Sequence, residues 1–272
     1  DNADSNFDGQ AESLMGKAIK GLPREALVIS SKVFWPTMPG PNGRGLSRKH
    51  IFESIHASLR RLDVDYLDIY FCHRYDPDTP IEEVVFSMNL LIQQGKILYW
   101  GTSEWSAAQI AQAVAAARQN NLIPPTVEQP QYNLLHHRRV EQEILPLARE
   151  LGIGLTTYSP LAFGILTGKY NQGIPKNSRA ATEEGAWLQN YLTPECLTLV
   201  GELELIANEL GVTPAQLAIA WVLRHKTVSS VIFGATNLNQ LFENLAAAEA
   251  AALLSDEILE DIEELIEGVP DI

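Results

Sequence analysis

The fold is decided by the stretch ALVISSKVFWPTMPGPNGRGLSRKHIFESIHASLRRLDVDYLDIYFC (residues 26–72), which holds two apolar runs with an amphipathic segment between them. The runs at 26–34 and 66–72 are short and rich in β-branched and aromatic residues, as expected of strands covered on both faces. The segment between them follows Ser47, a common N-cap residue, and repeats apolar side chains at helical spacing. This order predicts two parallel strands joined by a helical crossover.

The same alternation continues along the chain. Further apolar runs lie at 97–103, 125–129, 154–159 and 229–234, with helical patterns between them. Strands alternating with helices predict an α/β fold with a parallel sheet, either doubly wound or closed as a (β/α)8 TIM barrel. No GxGxxG follows a strand, which argues against a dinucleotide-binding doubly wound sheet. A barrel has eight strands, so the barrel interpretation predicts that this chain lacks the first one or two. No linker divides residues 1–272, which predicts a single barrel domain.

The composition disfavours several classes of function. The 34 acidic and 20 basic residues give a net charge of −14, which argues against nucleic acid or an anionic membrane as a partner. No apolar stretch is long enough to span a bilayer, and no secretory signal is visible. Cys72 and Cys196 make no disulfide framework, and neither CxxC nor HExxH is present. We therefore expect a cytoplasmic protein without a metal site.

Polar side chains stand at the C-terminal ends of the apolar runs, where a parallel barrel gathers its ligand-binding residues. Lys32 closes the first run and His73 follows the second. The later runs end in Ser103, Gln129, Tyr158, Ser159 and Gly234. Lys32 follows apolar residues, so its ammonium needs an anionic partner, either Asp1 or Asp4.

The last run leads into a second candidate site. Gly234, Thr236 and Asn237 stand before a helix whose first turn has free N–H groups, a natural phosphate site. Thr236 or Asn237 is equally suited to ordinary helix capping. Lys176 and Arg179, in the long irregular stretch 171–196, are candidates to cover the phosphate. The helix continues with three residues spaced to hold an adenosine end, Gln240, Glu243 and Asn244.

Seven segments together resemble the aldo-keto reductase superfamily, and within it the branch of voltage-gated potassium channel β-subunits and their bacterial relatives. They are GLSRKHIFESIHASLRRL, YWGTSEWS, NLIPPTVEQPQY, TYSPLAFGILTGKY, GIPKNSRA, QLAIAWVLR and SSVIFGATNLNQLFEN. The resemblance implies a (β/α)8 barrel that binds NADP(H) across the C-terminal ends of its strands. It also implies an oxidoreductase that reduces aldehyde or ketone carbonyls by hydride transfer.

The resemblance assigns roles around the cofactor. Ser103 and Gln129 would hold the nicotinamide carboxamide, and Tyr158 would stack on the nicotinamide ring. The remaining positions are Ser159, Leu161, Gly164 and Lys169 at the pyrophosphate, Arg179, Thr236 and Gln240 at the 2′-phosphate, and Glu243 and Asn244 at the adenine.

The catalytic tetrad of the superfamily is Asp, Tyr, Lys and His. Three members match Asp1, Lys32 and His73, whereas the tyrosine position matches Asn6. An asparagine amide polarises a carbonyl but supplies no proton, and loss of general acid catalysis typically costs about 10²–10⁴-fold. In a working reductase His73, or a water held by Asn6, would then have to donate the proton.

Three interpretations stay open at this point. The first is a reductase of weak activity acting on a small carbonyl substrate. The second is a catalytically impaired NADP(H)-binding subunit that senses redox state or regulates a partner. The third is a truncated or engineered fragment of a reductase. The resemblance admits a homo-oligomer under any of them.

Overall fold

The computed structural model describes residues 1–269. Two compact units are distinguished in it. The first comprises Asp1–Gln129 and Leu147–Gly154, and the second comprises Pro130–Pro146 and the chain from Leu155 onward.

The first unit is a parallel sheet with helices between its strands. Its strands are β1 (Ser30–Val33), β2 (Leu67–Cys72), β3 (Ile97–Ser103) and β4 (Val127–Gln129). Its helices are α1 (Gln10–Ile19), α2 (Arg48–Leu62), α3 (Ile81–Gln93) and α4 (Ala107–Gln119). Each strand pairs in parallel with the next, and the register sets Lys32 opposite Phe71, and Ser103 opposite Gln129. The C-terminal ends of the strands therefore lie side by side.

Packing and capping explain why these segments form the first unit. All four residues of β1 are buried, and α2 buries Ile51 and Ile55 completely. The Ser47 side chain accepts a hydrogen bond from the amide of His50, which fixes the start of α2. Gly101 in β3 admits no side chain, because a Cβ there would lie 2.4 Å from the carbonyl oxygen of Val127.

The second unit holds two parallel strands and most of the later helices. Strand β5 (Gly154–Tyr158) pairs with β6 (Val228–Ile232), with Tyr158 opposite Ile232. A π-helical turn occupies Val140–Ile144, and 3-10 turns occupy Ala162–Thr167, Arg179–Ala181 and Ala186–Tyr191; helix α5 (Leu145–Leu151) begins in this unit, and its residues from Leu147 onward belong to the first. The remaining helices are α6 (Pro194–Glu209), α7 (Pro214–Leu223), α8 (Leu238–Ala250) and α9 (Asp256–Glu267).

The predicted fold class is confirmed: the strands are parallel, alternate with helices, and follow one another in the order of the sequence, as in a barrel of the (β/α)8 type. Each of the six predicted runs overlaps a strand, and the last strand begins one residue before its predicted run. Within residues 1–269 no single helix is both long and apolar enough to cross a bilayer; α6 and α7, which meet at 88°, pass that test only as a bent pair. The single-domain prediction for residues 1–272 stays a prediction.

Candidate active site

Lys32 is the centre of the polar cluster in the first unit. It lies one residue before the end of β1 and is almost fully buried, and its ammonium donates hydrogen bonds to Asp1 Oδ2 (2.6 Å) and to the carbonyl oxygen of Asn2 (2.9 Å). For its third N–H no acceptor is found among the described residues. Of the two predicted anionic partners, the structure selects Asp1.

Asp1 links Lys32 of β1 to Gln129 of β4. Its other carboxylate oxygen accepts hydrogen bonds from Ser30 Oγ (2.7 Å) and from Gln129 Nε2 (3.2 Å). Ser103 Oγ in turn donates to the carbonyl oxygen of Gln129 (2.9 Å). Five residues from β1, β3, β4 and the N-terminal segment therefore form one continuous set of contacts, which fixes the Lys32 ammonium in place.

His73 lies directly after β2, where its amide donates to the carbonyl oxygen of Val33 (3.0 Å). Burial, reinforced by the nearby Lys32 and Arg74 cations, lowers the pKa of His73 to about 3. The imidazole is therefore neutral at physiological pH, and its buried Nδ1 has no partner among the described residues. A neutral imidazole can donate one hydrogen bond to a carbonyl oxygen but carries no surplus proton, which disfavours His73 as the proton donor.

Lys32 holds the proton that His73 lacks. Burial, together with the Arg74 cation, lowers the pKa of Lys32 to about 7, although the Asp1 carboxylate beside it favours the ammonium form. An acid with a pKa near the working pH is well suited to give up a proton during a reaction.

Two residues near His73 were not predicted from the sequence. The Trp35 ring meets the His73 ring edge-on, with 6.2 Å between centroids, and the Arg74 guanidinium lies 5.9 Å from the Trp35 ring centroid. Arg74 Nη1 also donates to the carbonyl oxygen of His73 (2.5 Å). Both residues follow strand ends, which is the one sequence signal that could have indicated them.

Asn6 stands apart from these contacts. It begins a 3-10 turn (Asn6–Gly9) in which Phe7 and Asp8 have φ of 49° and 53°, and its amide donates to the carbonyl oxygen of Ala3 (3.2 Å). The residue is exposed, and its side chain makes no hydrogen bond to the described residues. The match of Asn6 to the tetrad tyrosine stays a prediction.

Asp4, the other candidate partner of Lys32, lies elsewhere. It is 2% exposed, and its carboxyl accepts a hydrogen bond from Ser54 of α2. Burial raises the pKa of Asp4 to about 7. Asp4 Oδ1 has no partner among the described residues, so the ionised carboxylate is poorly compensated.

The second unit contains a cavity of about 810 Å³. All eleven residues that were predicted in this unit to bind the cofactor line it. They are Tyr158, Ser159, Leu161, Gly164, Lys169, Arg179, Gly234, Thr236, Gln240, Glu243 and Asn244. Lys176 is exposed and does not line the cavity, whereas Arg179 does.

The loop after β5 shapes one wall of this cavity. Ser159, Phe163 and Gly164 all have positive φ, at 54°, 57° and 100°. A Cβ on Gly164 would lie 2.6 Å from Lys169 Nζ, so the ammonium of Lys169 rests directly against the glycine backbone. The cation at this wall of the cavity is suited to attract a phosphate group.

The start of α8 shapes the opposite wall. Asn237 caps the helix, because its Oδ1 accepts a hydrogen bond from the amide of Gln240 (3.0 Å). Thr236 donates to Gln240 Oε1 through both its amide (2.9 Å) and its hydroxyl (3.0 Å). Of the two predicted caps, the structure selects Asn237 and leaves Thr236 facing the cavity with Gln240.

The cavity suits an anionic dinucleotide in size and charge. Its volume lies within the range of small-molecule sites, about 300–1,000 Å³. Two cations, Lys169 and Arg179, line it against the one carboxylate of Glu243, in a chain whose net charge is −14. Sequence reasoning missed several lining residues, among them Phe163, Asn177, Ser178 and Pro214.

Comparison with known proteins agrees with these features. The sequence profile of the Aldo/keto reductase family matches residues 1–267. A probable voltage-gated potassium channel subunit beta of Arabidopsis thaliana is 53% identical over 99% of this chain and 83% of its own length. A protein of the same description from Oryza sativa subsp. japonica is 50% identical over 99% of this chain and 83% of its own length. A putative voltage-gated potassium channel subunit beta of Schizosaccharomyces pombe is 46% identical over 99% of this chain and 80% of its own length. The chain belongs to the aldo/keto reductase family.

Proposed function

We propose that this chain is an NADP(H)-dependent oxidoreductase that reduces aldehyde or ketone carbonyls. The observation that carries the proposal is the 810 Å³ cavity, which is lined by every residue of the second unit assigned to the cofactor. Membership of the aldo/keto reductase family supports an oxidoreductase activity.

The cavity lining favours a phosphorylated dinucleotide. Lys169, held against Gly164, would bind the pyrophosphate, while Arg179 would bind a 2′-phosphate together with Thr236 and Gln240. Glu243 and Asn244 would contact the adenine. A guanidinium at this position suits NADP(H), because discrimination against NAD(H) requires a cation for the additional phosphate.

The polar cluster of the first unit would complete the reaction. A hydride for the carbonyl carbon would come from the nicotinamide when the cofactor is bound. Neutral His73 would donate a hydrogen bond to the carbonyl oxygen and so hold it in place. Lys32 Nζ, with one N–H unpartnered among residues 1–269, would deliver the proton to that oxygen and regain it from water.

The alternative is a catalytically impaired NADP(H)-binding subunit with a regulatory or redox-sensing role. Two observations favour it: the exposed Asn6 offers no acidic proton, and the three relatives are named as potassium channel β-subunits. Under this alternative the cofactor cavity functions and the Lys32 cluster does not turn over substrate. This alternative predicts a channel-like partner. A homo-oligomer and a cytoplasmic location are predictions under either function.

Two experiments separate these readings. The protein is titrated with NADPH while nicotinamide fluorescence is followed, with Arg179→Gln as the matched variant. We expect saturable binding in the micromolar range, weakened in the variant; absence of binding would refute both functions. Steady-state reduction of 4-nitrobenzaldehyde at saturating NADPH then distinguishes them, since measurable turnover supports the reductase and its absence supports the impaired subunit.

A further inference from the structure

The Arg179 guanidinium lies against two aromatic rings in the second unit. Its central carbon is 5.1 Å from the ring centroid of Phe163 and 5.9 Å from that of Trp187. The two rings meet edge-on, with centroids 5.0 Å apart at an interplanar angle of 83°. Both distances to the cation are within the range of a cation–π interaction.

The backbone that carries Arg179 is also fixed. Its carbonyl oxygen accepts a hydrogen bond from Thr182 Oγ1 (2.9 Å), and a Cβ on Gly185 would lie only 2.0 Å from that oxygen. Ala180, fully buried, accepts a hydrogen bond from Gln189 Nε2 (2.8 Å) on its carbonyl oxygen. Because the backbone is fixed, the position of the guanidinium depends on the side-chain torsions of Arg179. The two aromatic rings beside the guanidinium restrict those torsions.

Phe163 lines two cavities of this unit. It lines the 810 Å³ cavity with Arg179, and it lines a second cavity of about 340 Å³ with Trp187 and Tyr191. Its left-handed backbone turns the ring toward the Arg179 guanidinium. Phe163 carries no hydrogen-bonding group, and Trp187 does not line the 810 Å³ cavity, so Trp187 acts on a ligand there through its neighbours Phe163 and Arg179.

We propose that Phe163 and Trp187 are positioning residues that hold the Arg179 guanidinium at the cavity wall and thereby set the preference for a dinucleotide with a 2′-phosphate over one without. The inference rests on the proposed function and adds the source of its cofactor specificity. An arginine free in solvent samples many rotamers and pays their entropy on binding a phosphate, whereas a stacked arginine has already lost them.

The test measures the dissociation constants of NADPH and NADH for the wild type, Phe163→Leu and Trp187→Leu by fluorescence titration. Leucine keeps an apolar wall but removes the π face. We expect NADPH binding to weaken about threefold to thirtyfold in each variant, with NADH binding changed less than twofold. Arg179→Gln should abolish the preference altogether, so that further loss of a ring has no effect in that background.

Controls separate positioning from simple packing. Tyr191→Leu removes a ring that contacts Trp187, 5.7 Å between centroids, without removing either ring beside Arg179, and should leave the preference unchanged. Phe163→Tyr and Trp187→Phe keep a π face and should retain most of it. Circular dichroism melting checks that each variant is folded; should a leucine variant not fold, these conservative pairs and the Arg179→Gln background decide.

The outcomes are distinct. Equal loss of NADPH and NADH affinity would show that the rings only build the cavity wall, and unchanged affinities would show that Arg179 needs no support; either overturns the inference while leaving the proposed function intact. A wild type that binds neither dinucleotide overturns the proposed function, and the inference with it.

Discussion

The two units place polar groups in different ways. In the first, Lys32, Asp1, Gln129 and Ser103 bond directly to one another and are largely buried. In the second, the candidate residues are spread around an 810 Å³ cavity, and exposed Thr236 is one of them. The first arrangement fixes the position and the pKa of the Lys32 ammonium, whereas the second surrounds a space for a large ligand. Changes at Lys32 should therefore alter turnover, and changes at the cations that line the cavity should alter affinity.

The largest effect is expected at Lys32. Lys32→Met removes the candidate proton donor, so carbonyl reduction should fall by about 10²–10⁴-fold. The NADPH dissociation constant should change less than threefold, because Lys32 lies in the polar cluster of the other unit. Steady-state kinetics and fluorescence titration measure the two quantities. A variant that loses affinity and keeps its turnover would contradict the division between the units.

The pH dependence of turnover also tests Lys32 as the proton donor. The proton on Lys32 is present below its pKa of about 7 and absent above it. Turnover at saturating NADPH should therefore decline tenfold per pH unit above that value. The charged groups facing Lys32 are the Asp1 carboxylate and the Arg74 guanidinium, and His73 stays neutral over this range. Turnover that rises with pH would point to a general base instead.

Lys169 provides the opposite case in the second unit. Lys169→Met removes a cation held against the Gly164 backbone, and we expect the NADPH dissociation constant to rise about 10–100-fold through loss of a charged hydrogen bond. Turnover at saturating cofactor should stay within threefold of the wild type. The same titration and kinetics measure it, and lost turnover with unchanged affinity would be the contrary result.

Asn6→Tyr tests whether the missing proton donor can be restored. We expect turnover of 4-nitrobenzaldehyde to rise at least tenfold, since a phenol adds general acid catalysis. Phe7→Tyr, one residue along the same exposed turn, is the matched control and should have no effect. Equal rates for the two variants would show that Asn6 does not occupy the tetrad position.

The smallest effect concerns stability. The pKa of Asp4 is raised to about 7 in the folded protein, so between about pH 4 and pH 7 the folded state binds a proton that the unfolded state releases. Stability contributed by this group is therefore lost as pH rises through that window. Asp4→Asn should raise Tm by a few degrees more at pH 8 than at pH 5. Asp8→Asn, at an exposed carboxylate in the adjoining turn, should not change the pH dependence.

Periodicity in the sequence was sufficient for the six strands and for the helices between them, but it did not indicate α1 (Gln10–Ile19) or α6 (Pro194–Glu209). The run ending at Ser103 predicts β3 to the residue, and Thr213 and Gln216 form the capping box at the start of α7 that the sequence TPAQ encodes. The sequence also grouped the residues that line the 810 Å³ cavity, because each of the eleven lies within a segment that resembles the family; their role in binding a cofactor stays a prediction.

The remaining features depend on backbone geometry that the sequence does not display. Asp1 and Asp4 carry the same side chain, and only the fold turns one toward Lys32 and the other toward Ser54 of α2. Phe163 meets Arg179 because its backbone is left-handed, which is uncommon for a residue with a Cβ. Such contacts arise from loop conformation, for which a single sequence carries little signal.

The central claim is tested most directly by isotope transfer. The protein is incubated with 4-nitrobenzaldehyde and NADPH carrying deuterium at both positions of C4 of the nicotinamide, and the alcohol is examined by mass spectrometry. The account predicts one deuterium on the benzylic carbon for each cofactor oxidised, with the rate reduced in Lys32→Met. Saturable NADPH binding without deuterium in the product would contradict the reductase and leave the impaired subunit as the function of this chain.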